Sequence, residues 1–441
     1  MSIIQADYIR DLLRFIGNAP TSFHAVHSIC ELLAKNGFTE LLEQEHWNPE
    51  PNGAYFVRRN SSSLIIFTLN GQGLESGFRM AGAHTDSPSL KIKPNPRQIN
   101  HSFLQLGVET YGGSLLTTWF DRDLSIAGRI IWKDKNNSIH SSLINFNRPV
   151  GIIPSLAIHF DREANEKKSV NKQTDLVPIF MQVEENDKPD FNHILQNQLT
   201  SEHQEIDSPE ILDHELFFYD CHPPSLIGLN NEFISGARLD NLLSCYTLVR
   251  SLIEHKVNQN TLIVLNDHEE TGSLSTSGAQ GNFLQSVIER LLPENEKRQR
   301  CLSRSVFISA DNAHGVHPNF ADRYDKEHLP QLNRGPVIKF NANQRYATNC
   351  QTSSFFRMIC ENAGIPVQEF VMRNDLACGS TIGPLTAGQI GVRTVDVGIP
   401  SLAMHSIREM AGSMDVQYFY TAFCTYFATE PEDEIWQCLA G

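Results

Sequence analysis

Two adjacent glutamates, Glu269 and Glu270, follow a short apolar stretch of the chain. The stretch, Thr261–Leu265, has the length of a buried strand, and Gly272 closes the acidic turn after it. Like charges side by side cost free energy in a folded protein unless cations or hydrogen bonds compensate them. The carboxylates of Asp267 and the two glutamates are therefore candidate metal ligands, with a solvated acidic loop as the alternative.

Four further side chains of types that bind metal ions lie at the ends of predicted strands or at the start of a predicted helix. His84, Asp311 and His405 follow apolar, strand-like runs, and Asp240 opens a helical pattern. Singly, His84 could be a hydrogen-bonded core histidine, Asp240 a helix cap and Asp311 a turn former. Together, two histidines and at least three carboxylates fit a zinc-type site that keeps a position open for water. Because carboxylates outnumber imidazoles, two ions that share a carboxylate and hold a hydroxide fit better than one, which is hydrolase chemistry.

Composition argues against several other classes of protein. The 441 residues include 36 lysines and arginines against 51 aspartates and glutamates, a formal net charge of -15. An acidic surface repels phosphate backbones, so we expect no nucleic-acid partner. The nine cysteines lack a C-x-x-C pair, which favours a reduced, cytoplasmic protein over a disulfide framework or a zinc ribbon. No apolar run approaches membrane-spanning length, and we expect no membrane association.

The elements that position the candidate ligands form an α/β pattern at both ends of the chain. Amphipathic stretches such as Ala6–Ile16 predict helices. Mostly apolar runs predict buried strands at Leu64–Leu69, Phe78–Ala83, Thr261–Leu265, Ser305–Ala310 and Thr394–Val397. In open α/β sheets ligands gather at the carboxyl ends of strands, so these strands predict one site along one sheet edge.

The middle of the chain has a different pattern of apolar and polar residues. Ile126–Trp132 belongs to runs that read as antiparallel strands, and residues 161–215 are polar and weakly patterned, which predicts long surface loops. We therefore predict an α/β fold with a mixed central sheet flanked by helices and an inserted β-rich domain. In this prediction residues 1–92 and 234–441 form the catalytic domain, and residues 93–233 form the insertion.

Seven sequence motifs contain these candidates or flank them: AGAHTDSPSLKIKP (81–94), SGARLDN (235–241), NDHEETGS (266–273), SADNAHGVHPNF (309–320), NQRYATN (343–349), RNDLACGSTIGP (373–384) and LAMHSIRE (402–409). In this order they resemble the aspartyl aminopeptidases, the dinuclear zinc enzymes of metallopeptidase family 18. TTWFDRDL (117–124) and PSLAIHFDR (154–162) extend the resemblance into the insertion. It implies the phosphorylase/hydrolase-like fold of zinc aminopeptidases.

The resemblance also implies a role for each candidate ligand. Asp240 is implied to bridge two zinc ions, with His84 and Asp311 on one ion. Glu270 and His405 are then implied to bind the other, and cobalt or manganese is an alternative at one site.

Two more residues near the ligands receive roles from the resemblance. Glu269 is implied as the general base, a distinction between the two glutamates that the residues alone leave open. Asp86 is implied to orient His84 and to raise its basicity. His268, which precedes the glutamate pair, is then a neighbour rather than a ligand.

Residues around the substrate are implied in the same way. Lys339 matches a lysine that pairs with an acidic side chain on the substrate's first residue, with a solvated lysine at a strand end as the alternative. Tyr346 and Gly379 are implied to line the pocket. His159 matches a histidine that reaches the active site of a neighbouring subunit, and an ordinary interface or core histidine is the alternative.

The implied activity is removal of N-terminal residues, preferably aspartate or glutamate, from peptides. The implied assembly is a homo-oligomer, a tetrahedral dodecamer built from dimers, in which the insertion serves oligomerisation or acts as a lid. One alternative keeps the metal site in a broad or neutral-residue aminopeptidase or a dipeptidase. Another is a catalytically silent assembly protein of the same fold.

Overall fold

The computed structural model describes residues 3–71, 73–184, 187–255, 259–430 and 433–439. Within these ranges the α-helices are α1 (Ile3–Gly17), α2 (Ser22–Lys35), α3 (Ala164–Lys167), α4 (Phe191–Glu202), α5 (Leu239–His255), α6 (Phe283–Leu291), α7 (Asn295–Ser303), α8 (Cys350–Asn362), α9 (Ile382–Ile390) and α10 (Ser413–Ala428). The strands are β1 (Thr39–Glu40), β2 (Ala54–Arg59), β3 (Ser63–Thr68), β4 (Arg79–His84), β5 (Ser89–Asn100), β6 (Phe103–Tyr111), β7 (Leu124–Lys133), β8 (Ile139–Asn145), β9 (Ile179–Gln182), β10 (Glu210–Asp220), β11 (Ser225–Ile227), β12 (Phe233–Gly236), β13 (Thr261–Asn266), β14 (Val306–Ala310), β15 (Ala313–His314), β16 (Val337–Phe340), β17 (Gln368–Val371), β18 (Arg393–Gly398), β19 (Pro400–Leu402) and β20 (Glu409–Gly412).

The first of two compact units contains the residues up to Asp86, Pro224–Met404 and those from Glu409 onward. Its main sheet has nine strands in the order β1-β2-β3-β13-β4-β14-β18-β16-β17. The middle strands β13, β4, β14 and β18 are parallel, whereas β3 and β16 join them antiparallel on either side. A smaller sheet in this unit has the order β11-β12-β20-β19-β15.

Both faces of the main sheet are buried. Every residue of β3, β4, β13 and β14 is buried, as expected for strands with helices on both sides. Side chains alternate between the faces: Ile263 and Leu265 of β13 join one apolar cluster with helices α1, α2, α5, α8 and α10, and Leu262 and Val264 join another with α6 and α7. The predicted mixed sheet flanked by helices is confirmed.

The second unit consists of Ser87–Pro223 together with His405–Arg408. Its six strands form an antiparallel sheet in the order β8-β7-β10-β5-β6-β9. Leu106, Ile126 and Phe218 contribute to its own apolar core. Most of this unit falls within residues 93–233, where the sequence predicts a β-rich insertion. The predicted bounds of that insertion stay a prediction.

The expectation of long surface loops over residues 161–215 is wrong where α4 and the start of β10 lie. Asp190 accepts the Asn192 N–H at 3.0 Å and caps α4. The helix buries Phe191, Leu195 and Leu199, which recur every fourth residue. Apart from Ile194, which packs beside them, the other residues of α4 are polar. Overall composition therefore conceals a helix that the spacing of its apolar residues reveals.

Two further observations concern the chain as a whole. All nine cysteines are free thiols. Among the described helices, none combines the length and the apolar character that a bilayer crossing requires.

Candidate metal centre

The carboxyl ends of neighbouring parallel strands bring the candidate ligands of the first unit together. Strand β4 ends on His84, β14 leads directly into Asp311, and β13 leads into the turn with Glu269 and Glu270. His84, Asp240 and Asp311 offer ligand atoms within 4.8 Å of one another, and so do His84, Glu269 and Glu270. The predicted meeting of these side chains at one sheet edge follows from the strand order.

His84 stands between carboxylates on both sides of its ring. Its Nε2 lies 3.5 Å from Asp240 Oδ1 and 3.4 Å from Asp311 Oδ1, and its Nδ1 lies 3.1 Å from the Asp86 carbonyl oxygen. Burial alone would lower the pKa of His84, but Asp240, Asp311 and Asp86 outweigh it and raise that pKa well above its usual value. This cluster therefore attracts a cation, either a proton on His84 or a metal ion in its place.

Asp240 is held by backbone contacts at the start of α5. Its own N–H donates to Glu409 Oε2 at 2.9 Å. The next residue, Asn241, donates from Nδ2 to the Ala310 carbonyl at 2.8 Å. Because Ala310 ends β14, these contacts fix the Asp240 carboxylate beside Asp311.

Asp86 links the histidine to the glutamate turn. Its Oδ1 accepts the Glu269 N–H and its Oδ2 accepts the Glu270 N–H, each at 3.1 Å. The same Oδ1 lies 3.5 Å from His84 Nδ1. The turn itself is tight, with left-handed backbone at His268 (φ 60°) and Gly272 (φ 95°). The buried Asp86 carboxylate thus has the geometry that is needed to orient the His84 ring.

Glu269 has the electrostatic surroundings of a base that works near neutral pH. The pKa of Glu269 is raised to about 7, mainly by burial, and the neighbouring Asp311, Asp86 and Asp240 contribute to the rise whereas His84 opposes it. A carboxylate with this pKa can both accept and return a proton at neutral pH.

Asp267, the third acid of the segment that contains Glu269 and Glu270, contacts Ser63 and His268. Its N–H donates to Ser63 Oγ at 2.9 Å, and its Oδ1 accepts the His268 N–H at 2.9 Å. His268 Nδ1 in turn lies 2.8 Å from Ser275 Oγ. Neither residue belongs to the ligand groups found among the described residues.

Lys339 is buried beside the centre, with 2% of its side chain exposed. Its Nζ donates to Asp311 Oδ2 at 3.1 Å and to the Asn312 carbonyl at 3.2 Å, and lies 5.2 Å from the centroid of the Tyr346 ring. The alternative of a solvated lysine at a strand end is wrong, because the Lys339 side chain is buried.

A buried acid that the sequence interpretation missed, Asp396, connects the segments that hold the other predicted pocket residues. Its carboxylate accepts the Ala347 N–H at 2.6 Å and the Thr381 hydroxyl at 2.5 Å. Tyr346, adjacent to Ala347, is buried, whereas Gly379 is exposed two residues before Thr381. The available signal was one charged residue inside the apolar run of the predicted strand at 394–397.

Two predicted site residues lie in the second unit. His405 has a left-handed backbone (φ 66°), and its Nδ1 lies 3.2 Å from the Gly113 carbonyl oxygen. His159 is exposed, as are its neighbours Ile158 and Phe160, the latter to 81%. The predicted roles of both histidines stay predictions.

The donors of the first unit fit zinc. Tetrahedral zinc with bonds of about 2.0–2.2 Å to nitrogen and oxygen places two of its ligand atoms about 3.3–3.6 Å apart. His84 Nε2 is separated from Asp311 Oδ1 by 3.4 Å and from Asp240 Oδ1 by 3.5 Å. Imidazole and carboxylate are also the ligand types that zinc takes in catalytic sites.

Comparisons with known proteins agree with this chemistry. Residues 15–427 match the family model described as Aminopeptidase I zinc metalloprotease (M18). A probable M18 family aminopeptidase 2 of Pseudomonas aeruginosa (strain LESB58) is 50% identical over 427 residues, 97% of this chain and 99% of that protein. The cryo-EM structure of the Ape4 and Nbr1 complex contains a chain with a TM-score of 0.93 and 36% identity, matched over 96% of this chain and 86% of that one. The S. cerevisiae mApe1 dodecamer gives a TM-score of 0.84 at 28% identity, over 100% and 99% of the two chains. The family resemblance of the motifs is confirmed.

Proposed function

Since this chain belongs to the M18 family of zinc aminopeptidases, we propose that it uses two zinc ions to remove N-terminal aspartate or glutamate from peptides. Membership makes it a metal-dependent peptide hydrolase. The main observation behind the proposal is a set of distances. His84 Nε2 lies as far from the Asp240 and Asp311 carboxylates as two ligand atoms on one zinc ion lie from each other.

The proposed metal ligands follow the family pattern. Asp240 would hold both ions, and His84 and Asp311 would complete the first site. Glu270 and His405 would hold the second ion, and cobalt or manganese is an alternative at one of the two sites. Zinc held by these residues would supply a water molecule of lowered pKa and would withdraw electrons from the carbonyl of the scissile bond.

Glu269 is the general base in this proposal. Its carboxylate takes a proton from the attacking water and returns it to the amine that leaves. Asp86 holds the Glu269 N–H at 3.1 Å, which supports a fixed position of the base relative to His84. The ammonium group of Lys339 offsets part of the negative charge of Asp311, 3.1 Å away.

The proposed acidic preference rests on charge. A chain with a net charge of -15 repels an acidic substrate unless its pocket contains a cation. Lys339 is a buried cation beside the centre, and its three N–H donors allow it to serve a substrate carboxylate as well as Asp311. Tyr346 and Gly379 line the pocket in this proposal.

Replacing Lys339 with alanine is expected to lower kcat/KM for aspartyl and glutamyl substrates by about 10 to 10³-fold, since a charge-assisted hydrogen bond in a partly dry site is lost. The loss for leucyl substrates is expected to be far smaller. Steady-state kinetics on both substrate types measure the difference, with the exposed Lys297→Ala as control. Equal losses on both types would instead assign Lys339 to the positioning of Asp311.

The decisive experiment for the function is a panel of aspartyl, glutamyl, leucyl and lysyl substrates, each assayed with and without a chelator. We expect the chelator to abolish activity and zinc, cobalt or manganese to restore it, with the acidic substrates cleaved fastest. Full activity of a metal-free sample would contradict the metal-dependent mechanism. A preference for leucyl substrates would favour the broad or neutral-residue aminopeptidase, and cleavage of dipeptides alone would favour the dipeptidase.

We also propose a homo-oligomer, with a tetrahedral dodecamer as its form. The exposed apolar side chains Leu156, Ile158 and Phe160 are the kind of surface that a partner covers, and the similar mApe1 is a dodecamer. In this proposal the insertion at 93–233 serves assembly, and His159 reaches a neighbour's active site. The nine free cysteines support a cytoplasmic location.

A further inference from the structure

A buried carboxylate, that of Asp396, holds two segments that lie far apart in the chain. Asp396 belongs to β18 and is 0% exposed. Its Oδ2 accepts the Ala347 N–H at 2.6 Å, and its Oδ1 accepts the Thr381 hydroxyl at 2.5 Å. Ala347 directly follows Tyr346, and Thr381 lies two residues after Gly379. Each oxygen of one carboxylate therefore holds one of the two segments that contain the proposed pocket residues.

Further contacts restrict the carboxylate itself. The Asp396 N–H donates to Thr348 Oγ1 at 2.9 Å. A Cβ atom added at Gly383, in the first turn of α9, would lie 2.4 Å from Asp396 Oδ1 and 2.5 Å from Oδ2. The Thr381 hydroxyl also accepts the Gly383 N–H at 3.3 Å and so caps α9. The carboxylate is thus packed directly against the first turn of α9, where only a glycine leaves room for it.

The two segments also contact each other at the surface. Arg345 Nε donates to the Gly379 carbonyl at 3.4 Å, and the Ser380 hydroxyl donates to the Arg345 carbonyl at 3.1 Å. All three residues are exposed, so water competes for these bonds. The bonds to the buried Asp396 carboxylate are better shielded from water, which makes them the firmer link between the segments.

The side chain of Lys339 lies close to this link. Burial raises the pKa of Asp396, and the charge of Lys339 is the largest of the effects that oppose the rise. Lys339 Nζ also lies 5.2 Å from the centroid of the Tyr346 ring. Asp396 is therefore near both the proposed partner of an acidic substrate and the backbone beside Tyr346.

We propose that Asp396 is a positioning residue of the proposed substrate pocket. It fixes the segments of Tyr346 and Gly379, and thereby sets the space that the first side chain of a peptide can occupy beside Lys339. This role rests on the proposed function, in which these residues surround that side chain. Asp396 belongs to none of the ligand groups found among the described residues, so the effect is expected on the substrate and not on zinc.

The hydroxyl of Thr381 offers a test that leaves Asp396 in place. Thr381→Val removes the hydroxyl and keeps the size of the side chain, whereas Thr381→Ser keeps the hydroxyl. We expect Thr381→Val to lower kcat/KM about 5- to 100-fold for aspartyl and leucyl substrates, chiefly through KM, since a displaced wall no longer fits their side chains. Alanyl substrates, whose methyl group is too short to reach the walls, are expected to change less than about twofold. Thr381→Ser is expected to behave like the wild type.

Two further variants complete the experiment. Thr394→Val removes another buried threonine hydroxyl of β18, which donates to the Val392 carbonyl at 3.0 Å, and its kinetics are expected to match those of the wild type. Thr348→Val acts from the other segment, because it removes the acceptor of the Asp396 N–H. It is expected to show the same substrate pattern as Thr381→Val. Metal analysis and thermal unfolding of each variant separate a change in the pocket from a loss of zinc or of fold.

Several results would overturn the role of Asp396. Unchanged kinetics of both the Thr381 and the Thr348 valine variants would remove the link between the carboxylate and the pocket. Equal losses for alanyl, leucyl and aspartyl substrates would reduce the effect to a general loss of structure, and an equal loss in Thr381→Ser would assign it to packing. The proposed function is judged separately, from the wild type alone. A preference for leucyl substrates contradicts its acidic specificity, while the comparison of leucyl with alanyl substrates still tests Asp396.

Discussion

Replacing Glu269 with glutamine is expected to lower kcat by about 10² to 10⁴-fold while the protein keeps its zinc. Glutamine preserves the size of the side chain and leaves the backbone N–H that Asp86 accepts at 3.1 Å. Glutamine cannot take a proton from water, so the decrease in kcat measures the contribution of Glu269 as general base. Steady-state kinetics together with metal analysis of the same sample provide the measurement.

The neighbouring Glu270 offers the matched control for this prediction. Glu270→Gln is expected to lose zinc affinity first and activity as a consequence, so that added zinc restores part of its rate. Zinc does not rescue Glu269→Gln, because that variant already contains its metal. Exchanged phenotypes would exchange the roles of the two glutamates.

The pH profile gives a second readout of Glu269. In the absence of metal its pKa is about 7, raised chiefly by burial, and bound cations lower it from that value. A base works only when unprotonated, so kcat/KM of the wild type falls as the pH drops through a pKa below 7. This acid limb is expected to be absent from the residual activity of Glu269→Gln.

Replacing Asp240 with alanine is expected to remove zinc and to lower activity by about 10⁴-fold or more, since water is then left near its ordinary pKa. The carboxylate of Asp240 lies 3.5 Å from His84 Nε2 and is the ligand proposed to be shared by both ions. Metal analysis at limiting zinc measures the loss. Circular dichroism checks that the fold survives, because the backbone contact of Asp240 with Glu409 does not need the side chain.

Asp240→Asn is the matched control for this substitution. Asparagine keeps the size of the side chain and one oxygen ligand but removes the negative charge, so an intermediate loss of zinc affinity is expected. If the alanine variant retained both ions, Asp240 would have no part in metal binding.

The strands that carry the site could be predicted because their signal is local. The run at Phe78–Ala83 is apolar apart from Arg79, the run at Thr261–Leu265 is apolar after its first residue, and both stop at polar side chains. The structure has β4 and β13 there. A buried strand must be apolar on both faces, and its end is where polar groups become tolerable. The fold class and the meeting of these strand ends were predictable for that reason.

The contacts that position the ligands could not be predicted from any local run of residues. Asp396 accepts the N–H of Ala347, 49 residues away, and Asp240 donates to Glu409, 169 residues away. Lys339 is buried beside Asp311 and Asn312, which precede it by 28 and 27 residues. Each of these contacts depends on the order of strands in the sheet, which no local pattern of residues contains.

The links made by Asp86 also set an order of events during synthesis of the chain. Asp86 and the Glu270 N–H that it holds are 184 residues apart, and β4 gains its two neighbours, β13 and β14, only after the insertion has been made. A nascent chain on the ribosome therefore carries His84 long before it can carry the carboxylates that face it. A metal ion that needs His84, Asp240 and Asp311 together can therefore bind only after residue 311 has been synthesised.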